Sequence, residues 1–185
     1  MTEISLNILD IAQNSIRAGS TLTEITVREI PSEDILSFSV KDNGCGMDKE
    51  LLKSVTDPFV TTRTTRKIGL GIPLLKSCAE QAGGGINIES EVGRGTTLTA
   101  TFSYNHIDRQ PLGDTAQVMV SLISLNPDID FVYIHFYEKA HFELDTRTLR
   151  SVLGEEVRLS EISVAKWIGD FITENLAEIY GGAVE

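Results

Sequence analysis

Asp10 and Asn14 are two polar side chains, four positions apart, whose types suit metal and proton chemistry. Apolar residues recur at helical spacing through residues 5–18, so this segment is predicted to be a helix with one buried stripe. Side chains four residues apart leave the same side of a helix, one turn from each other. A carboxylate and an amide oxygen placed in this way could hold a hydrated Mg²⁺ ion, and Asp10 could also accept a proton from an attacking water. Taken alone, the pair also fits a solvated helix face.

A second candidate site follows a predicted strand at residues 35–40, where the chain enters a glycine-rich bend. Gly44 and Gly46 permit positive φ angles, which would let the backbone pass close to a flat ligand. Asp42 would emerge at the end of the strand and face a pocket. A buried carboxylate there needs a donor, and the amino group of an adenine could supply one. An ordinary hairpin or loop turn is the alternative for this motif in isolation.

A third candidate site is a hydroxyl-rich, basic segment at residues 60–67 that is predicted to be a mobile loop, since it shows no apolar period. Gly69, Leu70 and Gly71 then open a predicted helix at 72–81, whose free N–H groups could bind phosphate oxygens. The loop could close over the phosphates, although a solvated charged loop would have the same composition. Its candidate ligands are Thr61, Thr62, Arg63, Arg66 and Lys67.

The fourth motif joins two predicted strands at residues 86–91 and 96–102, which alternate apolar and polar residues and are rich in β-branched side chains. Gly93 and Gly95 mark the turn between them. Thr96 begins the returning strand and could add a hydroxyl to the base-recognition network around Asp42.

The order and spacing of these four motifs over residues 4–103 resemble the GHKL family of ATP-binding domains. That family includes DNA gyrase, a heat-shock chaperone, histidine kinases and mismatch-repair ATPases. The resemblance implies an α+β fold, a two-layer α/β sandwich of the Bergerat type, in which helices cover one face of a mixed sheet. It also implies that ATP lies between these helices and a lid.

The resemblance further implies a role for each motif. Asn14 would bind Mg²⁺ and Asp42 would bind the adenine amino group. The three glycine boxes of the family would be formed by Gly44 and Gly46, by Gly69 and Gly71, and by Gly95 with Thr96. Residues 57–59 resemble the kinase segment that leads into the lid.

Asp10 departs from the family pattern and is the candidate catalytic residue. Histidine kinases usually carry a second asparagine at this position, whereas the ATPases and the anti-sigma serine kinases carry glutamate. Asp10 has a carboxylate like that glutamate, but its side chain is one methylene group shorter. It therefore still has the chemical group that a general base needs.

The three histidines, His106, His135 and His141, lack the context of a kinase phosphoacceptor, which is a helix with an acidic residue and a proline after the histidine. They are expected to be structural or solvent-facing. Because only residues 1–5 precede the first helix in this sequence, no dimerising helical pair is expected there. Any phosphoryl transfer is therefore expected to reach a separate protein.

Composition favours a soluble, cytoplasmic protein, because 41% of the residues are hydrophobic and no stretch matches the ~18 apolar residues of a membrane span. Two cysteines, Cys45 and Cys78, do not make a disulfide framework. The net charge is −11, with −3 in residues 1–104 and −8 in residues 105–185. This acidity argues against nucleic acid as a partner and favours a basic protein partner or simple solubility. A homodimer is also compatible with the sequence.

The chain is predicted to divide into an ATP-binding domain at 1–104, a linker at 105–113 and a small acidic α+β module at 114–185. The predicted elements of the module are a helix at 114–125, strands at 130–137 and 142–145, and helices at 146–153 and 161–180. The apolar stripe of the last helix would dock on the ATP-binding domain or on a partner, and the first is the commoner arrangement.

These observations lead to three functional hypotheses. The protein would be a kinase that uses ATP and Mg²⁺ to phosphorylate, or otherwise regulate, a separate protein, as histidine kinases and anti-sigma serine kinases do. Alternatively, it would hydrolyse ATP to drive a conformational change in an assembly. As a non-catalytic module, it would distinguish ATP from ADP and grip a partner in only one of the two states.

Overall fold

The computed structural model of the 185-residue chain describes residues 3–55, 71–154 and 157–181. The predicted loop at 60–67, which would form the lid, and the kinase-like segment at 57–59 lie outside these ranges. The same holds for the candidate ligands Thr61, Thr62, Arg63, Arg66, Lys67, Gly69 and Leu70.

Pairs of strands and one or two helices follow each other along the described chain in an α+β arrangement. The helices are α1 (Ile4–Arg17), α2 (Lys49–Ser54), α3 (Gly71–Gln81), α4 (Thr115–Leu125), α5 (Thr146–Leu153) and α6 (Ile162–Gly181). The strands are β1 (Leu22–Ile30), β2 (Ile35–Asp42), β3 (Gly85–Glu91), β4 (Gly95–Ser103), β5 (Asp130–Tyr137) and β6 (Ala140–Asp145). Most predicted elements are confirmed within a few residues, but β1 and α2 are absent from the prediction.

The six strands form one mixed sheet in the order β3-β4-β2-β1-β5-β6 across the described chain. The β1–β5 pair is parallel, whereas the other four neighbouring pairs are antiparallel. One face of the sheet is apolar, as the row Leu98, Val40, Ile25, Tyr133 and Leu144 shows, and each of these side chains is at most 2% exposed. Helices α1, α3, α4 and α6 contribute buried apolar residues to the same core. The predicted fold class is therefore confirmed.

Strands from both sides of the predicted domain boundary pair directly. β5, from the region after residue 114, runs beside β1 over eight residue pairs, from Leu22 with Asp130 to Glu29 with Tyr137. Helix α4 packs on α1, and the apolar stripe of α6 packs on α4, β5 and β6. The boundary between 1–104 and 114–185 is thus visible neither in the sheet nor in the core, and the division into domains stays a prediction. Of the helices in the described ranges, none is long and apolar enough to cross a lipid bilayer.

A buried network of hydrogen-bonded side chains links strand β1 with strand β5 on the helix-covered face of the sheet. His135 is fully buried, with Nε2 3.0 Å from Oε1 of Glu29 and Nδ1 2.7 Å from the Tyr133 hydroxyl. Tyr133 donates to the Thr115 hydroxyl at 2.8 Å, and Tyr180 of α6 donates to Glu29. Burial raises the pKa of Tyr133, and burial together with the Glu29 hydrogen bond raises the pKa of Tyr180. His135 is therefore structural, which was one of the two predicted alternatives.

Candidate nucleotide-binding site

A cavity of about 340 Å³ lies at the end of the sheet where β2 and β4 meet helices α1, α2 and α3. This volume is within the usual range for a small-molecule site. Its apolar wall includes Ile11, Val40, Met47, Leu51, Ile72, Ile88 and Leu98. Its polar groups come from Asn14, Ser15, Arg17, Asp42 and Thr96. An apolar wall with a few convergent polar groups suits a flat base attached to a charged tail.

Asp42, the last residue of β2, is fixed at the base of the cavity by three donors. Oδ1 accepts hydrogen bonds from the backbone N–H groups of Gly44 at 2.9 Å and Thr96 at 3.2 Å. Oδ2 accepts one from the hydroxyl of Ser15 at 2.7 Å. Asp42 is 9% exposed and lines the cavity, so its carboxylate can also accept a hydrogen bond from a ligand amino group.

Thr96 contacts Asp42 in a different way from the one predicted. Its backbone N–H, rather than its hydroxyl, donates to the carboxylate. The hydroxyl is 2.8 Å from the Ser90 hydroxyl, across the β3–β4 pair. Thr96 is the cross-strand partner of Asp42 on β2 and of Ser90 on β3, so the three side chains lie on one face of the sheet. The hydroxyl of Thr96 forms its hydrogen bond with Ser90.

The glycines of the first and third boxes make room for neighbouring parts of the protein. Gly46 has a φ of +66°, and a Cβ on it would lie 2.0 Å from the carbonyl oxygen of Glu91. Gly95 has a φ of +106°, and a Cβ there would lie 1.9 Å from the carbonyl oxygen of Asp42. Gly44 does not have a positive φ, but it packs against Ala18 at the end of α1. The glycine bend lies between α1 and the β3–β4 turn, and Gly46 also lines the cavity, so the close approach of its backbone to a flat ligand stays a prediction.

Asp10 and Asn14 lie on α1 as predicted, one turn apart, but they have different neighbours. Asn14 lines the cavity, and its Oδ1 accepts a hydrogen bond from Nη1 of Arg17 at 3.2 Å. Asp10 lies against the first residue of α3, since a Cβ on Gly71 would be 1.8 Å from its Oδ2. Gly71 therefore allows the carboxylate to reach the start of α3. Asp10 is thus brought to the start of α3, while Asn14, one turn away on α1, lines the cavity together with Ile72 of α3.

Ser15 and Arg17 are site residues that the sequence interpretation did not assign. Ser15 hydrogen-bonds to a carboxylate 27 positions away, which no local pattern indicates. Arg17 could have been found, because it lies one turn beyond Asn14 on the polar side of the predicted helix. The roles assigned to the lid and to Gly69 and Leu70 stay predictions.

Residues 2–106 match the sequence family described as histidine kinase-, DNA gyrase B-, and HSP90-like ATPase, which covers more than half of the chain. This chain belongs to that family. ATPase domains of this GHKL family bind ATP or ADP, which agrees with the cavity built around Asp42.

Sensor proteins are among the relatives of this GHKL chain. A putative sensor protein of Shewanella frigidimarina is 35% identical over 98 residues, sensor protein SrrB of Staphylococcus aureus 37% over 103, and sensor kinase CckA of Brucella abortus 30% over 109. These alignments cover 52%, 53% and 52% of this chain. They cover only 15%, 17% and 12% of the relatives, so the chain spans less than a fifth of the length of each.

Two solved structures show the same fold over a larger share of the chain. The N-terminal domain of a DNA repair protein aligns with a TM-score of 0.55 at 14% identity, covering 84% of this chain and 58% of that one. The ATPase domain of Aquifex aeolicus MutL, complexed with ADP, aligns with a TM-score of 0.50 at 16% identity, covering 83% of this chain and 69% of that one. At these identities the likeness shows the fold alone.

Proposed function

We propose that this protein binds ATP with Mg²⁺ and transfers the γ-phosphoryl group to a separate protein. The observation that supports this proposal best is the position of Asn14 in the wall of a cavity whose base holds Asp42, with Asp10, one turn away on α1, lying against the start of α3. Adenine on Asp42 would direct the phosphates toward Asn14. The identity to sensor kinases over about half of the chain supports a kinase rather than another use of the fold.

Each residue would have a distinct task in this reaction. The amide oxygen of Asn14 would hold Mg²⁺, which prefers oxygen ligands and neutralises charge on the phosphates when bound. Arg17, which now donates to Asn14, would turn toward the phosphate oxygens. The N–H groups at the start of α3 would donate to the same oxygens. Asp10 would accept the proton of the attacking group on the acceptor protein.

The lid would complete this site. Arg63 and Lys67, with the hydroxyls of Thr61 and Thr62, would contribute donors to the γ-phosphate. A diphosphate would receive fewer of these hydrogen bonds. A partner that contacts the lid could therefore distinguish ATP from ADP.

A non-catalytic ATP sensor is the second candidate function. The observation that favours it is the position of Asp10, whose side chain is one methylene shorter than glutamate and already lies against Gly71. In that case the protein would bind its partner in only one nucleotide state and would transfer nothing.

Labelling with γ-³²P-ATP in the presence of a cell extract distinguishes these functions. We expect a kinase to label a separate protein, whereas an ATPase would release phosphate without labelling and a sensor would do neither. Asn14→Ala should abolish Mg²⁺-dependent nucleotide affinity. Asp10→Asn should keep the affinity and lower turnover, because only the proton-accepting carboxylate is lost.

The matched control is Asp48→Asn, the same chemical change at an exposed position outside the cavity. It should leave both affinity and turnover unchanged. Unaltered turnover in Asp10→Asn would remove Asp10 from the chemistry, and failure of the parent protein to bind ATP would refute the whole proposal.

A further inference from the structure

β6 forms one edge of the sheet and lies outside the part of the chain that matches the family. An edge strand leaves alternate N–H and C=O groups unpaired, and proteins usually protect such edges with proline, lysine or a bulge. β6 has the sequence AHFELD, which contains neither proline nor lysine, and its register with β5 is continuous. His141 and Glu143 are exposed on one face, while Phe142 and Leu144 are buried on the other. This edge is therefore able to accept another strand.

An aromatic surface continues from this edge onto α6. The ring of Phe142 is 5.7 Å from that of Phe171, and Trp167 stacks on Phe171 at 5.1 Å with an interplanar angle of 14°. Trp167 is nevertheless 46% exposed. Both α6 residues lie on the flank away from Gly169, which faces Val120 of α4. A strand added to β6 would therefore be flanked by an exposed tryptophan on the helix-covered side.

We infer that β6 pairs antiparallel with β6 of a second copy of this chain, with the two Phe142 residues opposite each other. In that register His141 lies opposite Glu143 of the other copy, a donor facing an acceptor, and Ala140 lies opposite Leu144. A register centred on Glu143 would instead place two carboxylates face to face. The two-fold axis makes the contact self-complementary, so each favourable pair occurs twice.

The symmetry also uses the aromatic surface. A two-fold axis perpendicular to the sheet keeps both α6 helices on the same side, one on each side of the axis. The Trp167–Phe171 stacks of the two copies would then approach each other over the Phe142 pair. At the other edge, β3 carries Glu89 and Glu91, and Arg94 of the following turn lies 3.3 Å from Glu91, so that edge lacks the self-complementary His–Glu pairs of β6.

Sedimentation equilibrium of the full chain tests the dimer. We expect a mass of twice 20.3 kDa at high protein concentration and dissociation on dilution. His141→Glu should weaken dimerisation about tenfold or more, because the new carboxylate faces Glu143 of the other copy, and this repulsive pair occurs twice in the dimer. Glu143→Lys should weaken it to the same extent, because the new ammonium group faces His141 of the other copy, which is also a donor. The double variant with both changes places glutamate opposite lysine and should restore the dimer.

Two controls make the result specific to β6. Glu89→Lys is the same charge change on the exposed face of the other edge strand and should leave the dimer intact. Trp167 is the only tryptophan of the chain, so its emission should move to shorter wavelength as the dimer forms. A monomer at every concentration, a dimer unaffected by the single changes, or a double variant that stays monomeric would each overturn the inference.

Discussion

Asp42→Asn tests the base-recognition site without a large change in shape. The asparagine oxygen can still accept hydrogen bonds from the N–H groups of Gly44 and Thr96, as the carboxylate does at 2.9 and 3.2 Å. The hydroxyl of Ser15, now a donor at 2.7 Å, can rotate and accept from the new amide instead. All three protein contacts survive in some form, so we expect the free energy of unfolding to change little.

A bound adenine would be affected much more than the fold. Its amino group would lose a charged acceptor and face the N–H of the new amide. Losing a hydrogen bond to a charged group costs about 1.5 to 3 kcal/mol, which corresponds to a rise in Kd of about 10- to 150-fold. Inosine triphosphate carries an oxygen in place of the amino group, and this oxygen could accept from the amide. The variant should therefore favour inosine triphosphate over ATP, in contrast to the parent.

Calorimetric titration of both nucleotides into the parent, Asp42→Asn and Asp48→Asn would measure this change. Asp48 caps α2 by accepting from the N–H groups of Glu50 and Leu51, and asparagine caps helices equally well. This control should bind ATP like the parent. Asp42→Asn binding ATP as tightly as the parent, or weakening both nucleotides equally, would refute the assignment of Asp42 to the adenine amino group.

Three further changes test contacts that stabilise the fold. In urea titrations, Gly95→Ala should lower the free energy of unfolding by at least about 2 kcal/mol, because the new Cβ would clash with backbone and the residue has a positive φ. Gly93→Ala is the control: it also has a positive φ but has open space around it, so it should lower the free energy of unfolding by only about 1 kcal/mol. Tyr180→Phe should cost about 1 to 2 kcal/mol in the same assay, since it removes a donor from a buried carboxylate of β1, and an unchanged midpoint would contradict that role. The Arg147 side chain lowers the pKa of Asp145 by hydrogen bonding to its carboxylate. Asp145→Asn should therefore lower the free energy of unfolding by up to about 1 kcal/mol at neutral pH. This difference in stability from the parent should disappear as the pH falls below about 4 and through the folded-state pKa of Asp145, because the parent carboxylate is then protonated.

Local patterns in the sequence predicted those parts of the molecule that depend on a few neighbouring residues. The bounds of β5 and α5 agree with the prediction, because apolar alternation, a two-residue turn and an aspartate cap at Asp145 are all encoded within short segments. The four motifs likewise indicated the family, since their order along the chain is itself sequence information. β1 is absent from the prediction because its sequence LTEITVREI alternates apolar and polar residues only over residues 24–28, and its buried face carries Thr23 and Glu29.

Contacts between distant segments were decided only by the tertiary structure. The hydrogen bond from Ser15 to Asp42, the packing of Gly71 on Asp10, and the pairing of β5 with β1 all depend on which surfaces meet when the helices cover the sheet. No local propensity encodes such pairings, because their free energy comes from burying two distant apolar surfaces together. For the same reason, the predicted linker at residues 105–113 does not separate two sheets. Which strands pair depends on which apolar surfaces are buried together, and not on their order along the chain.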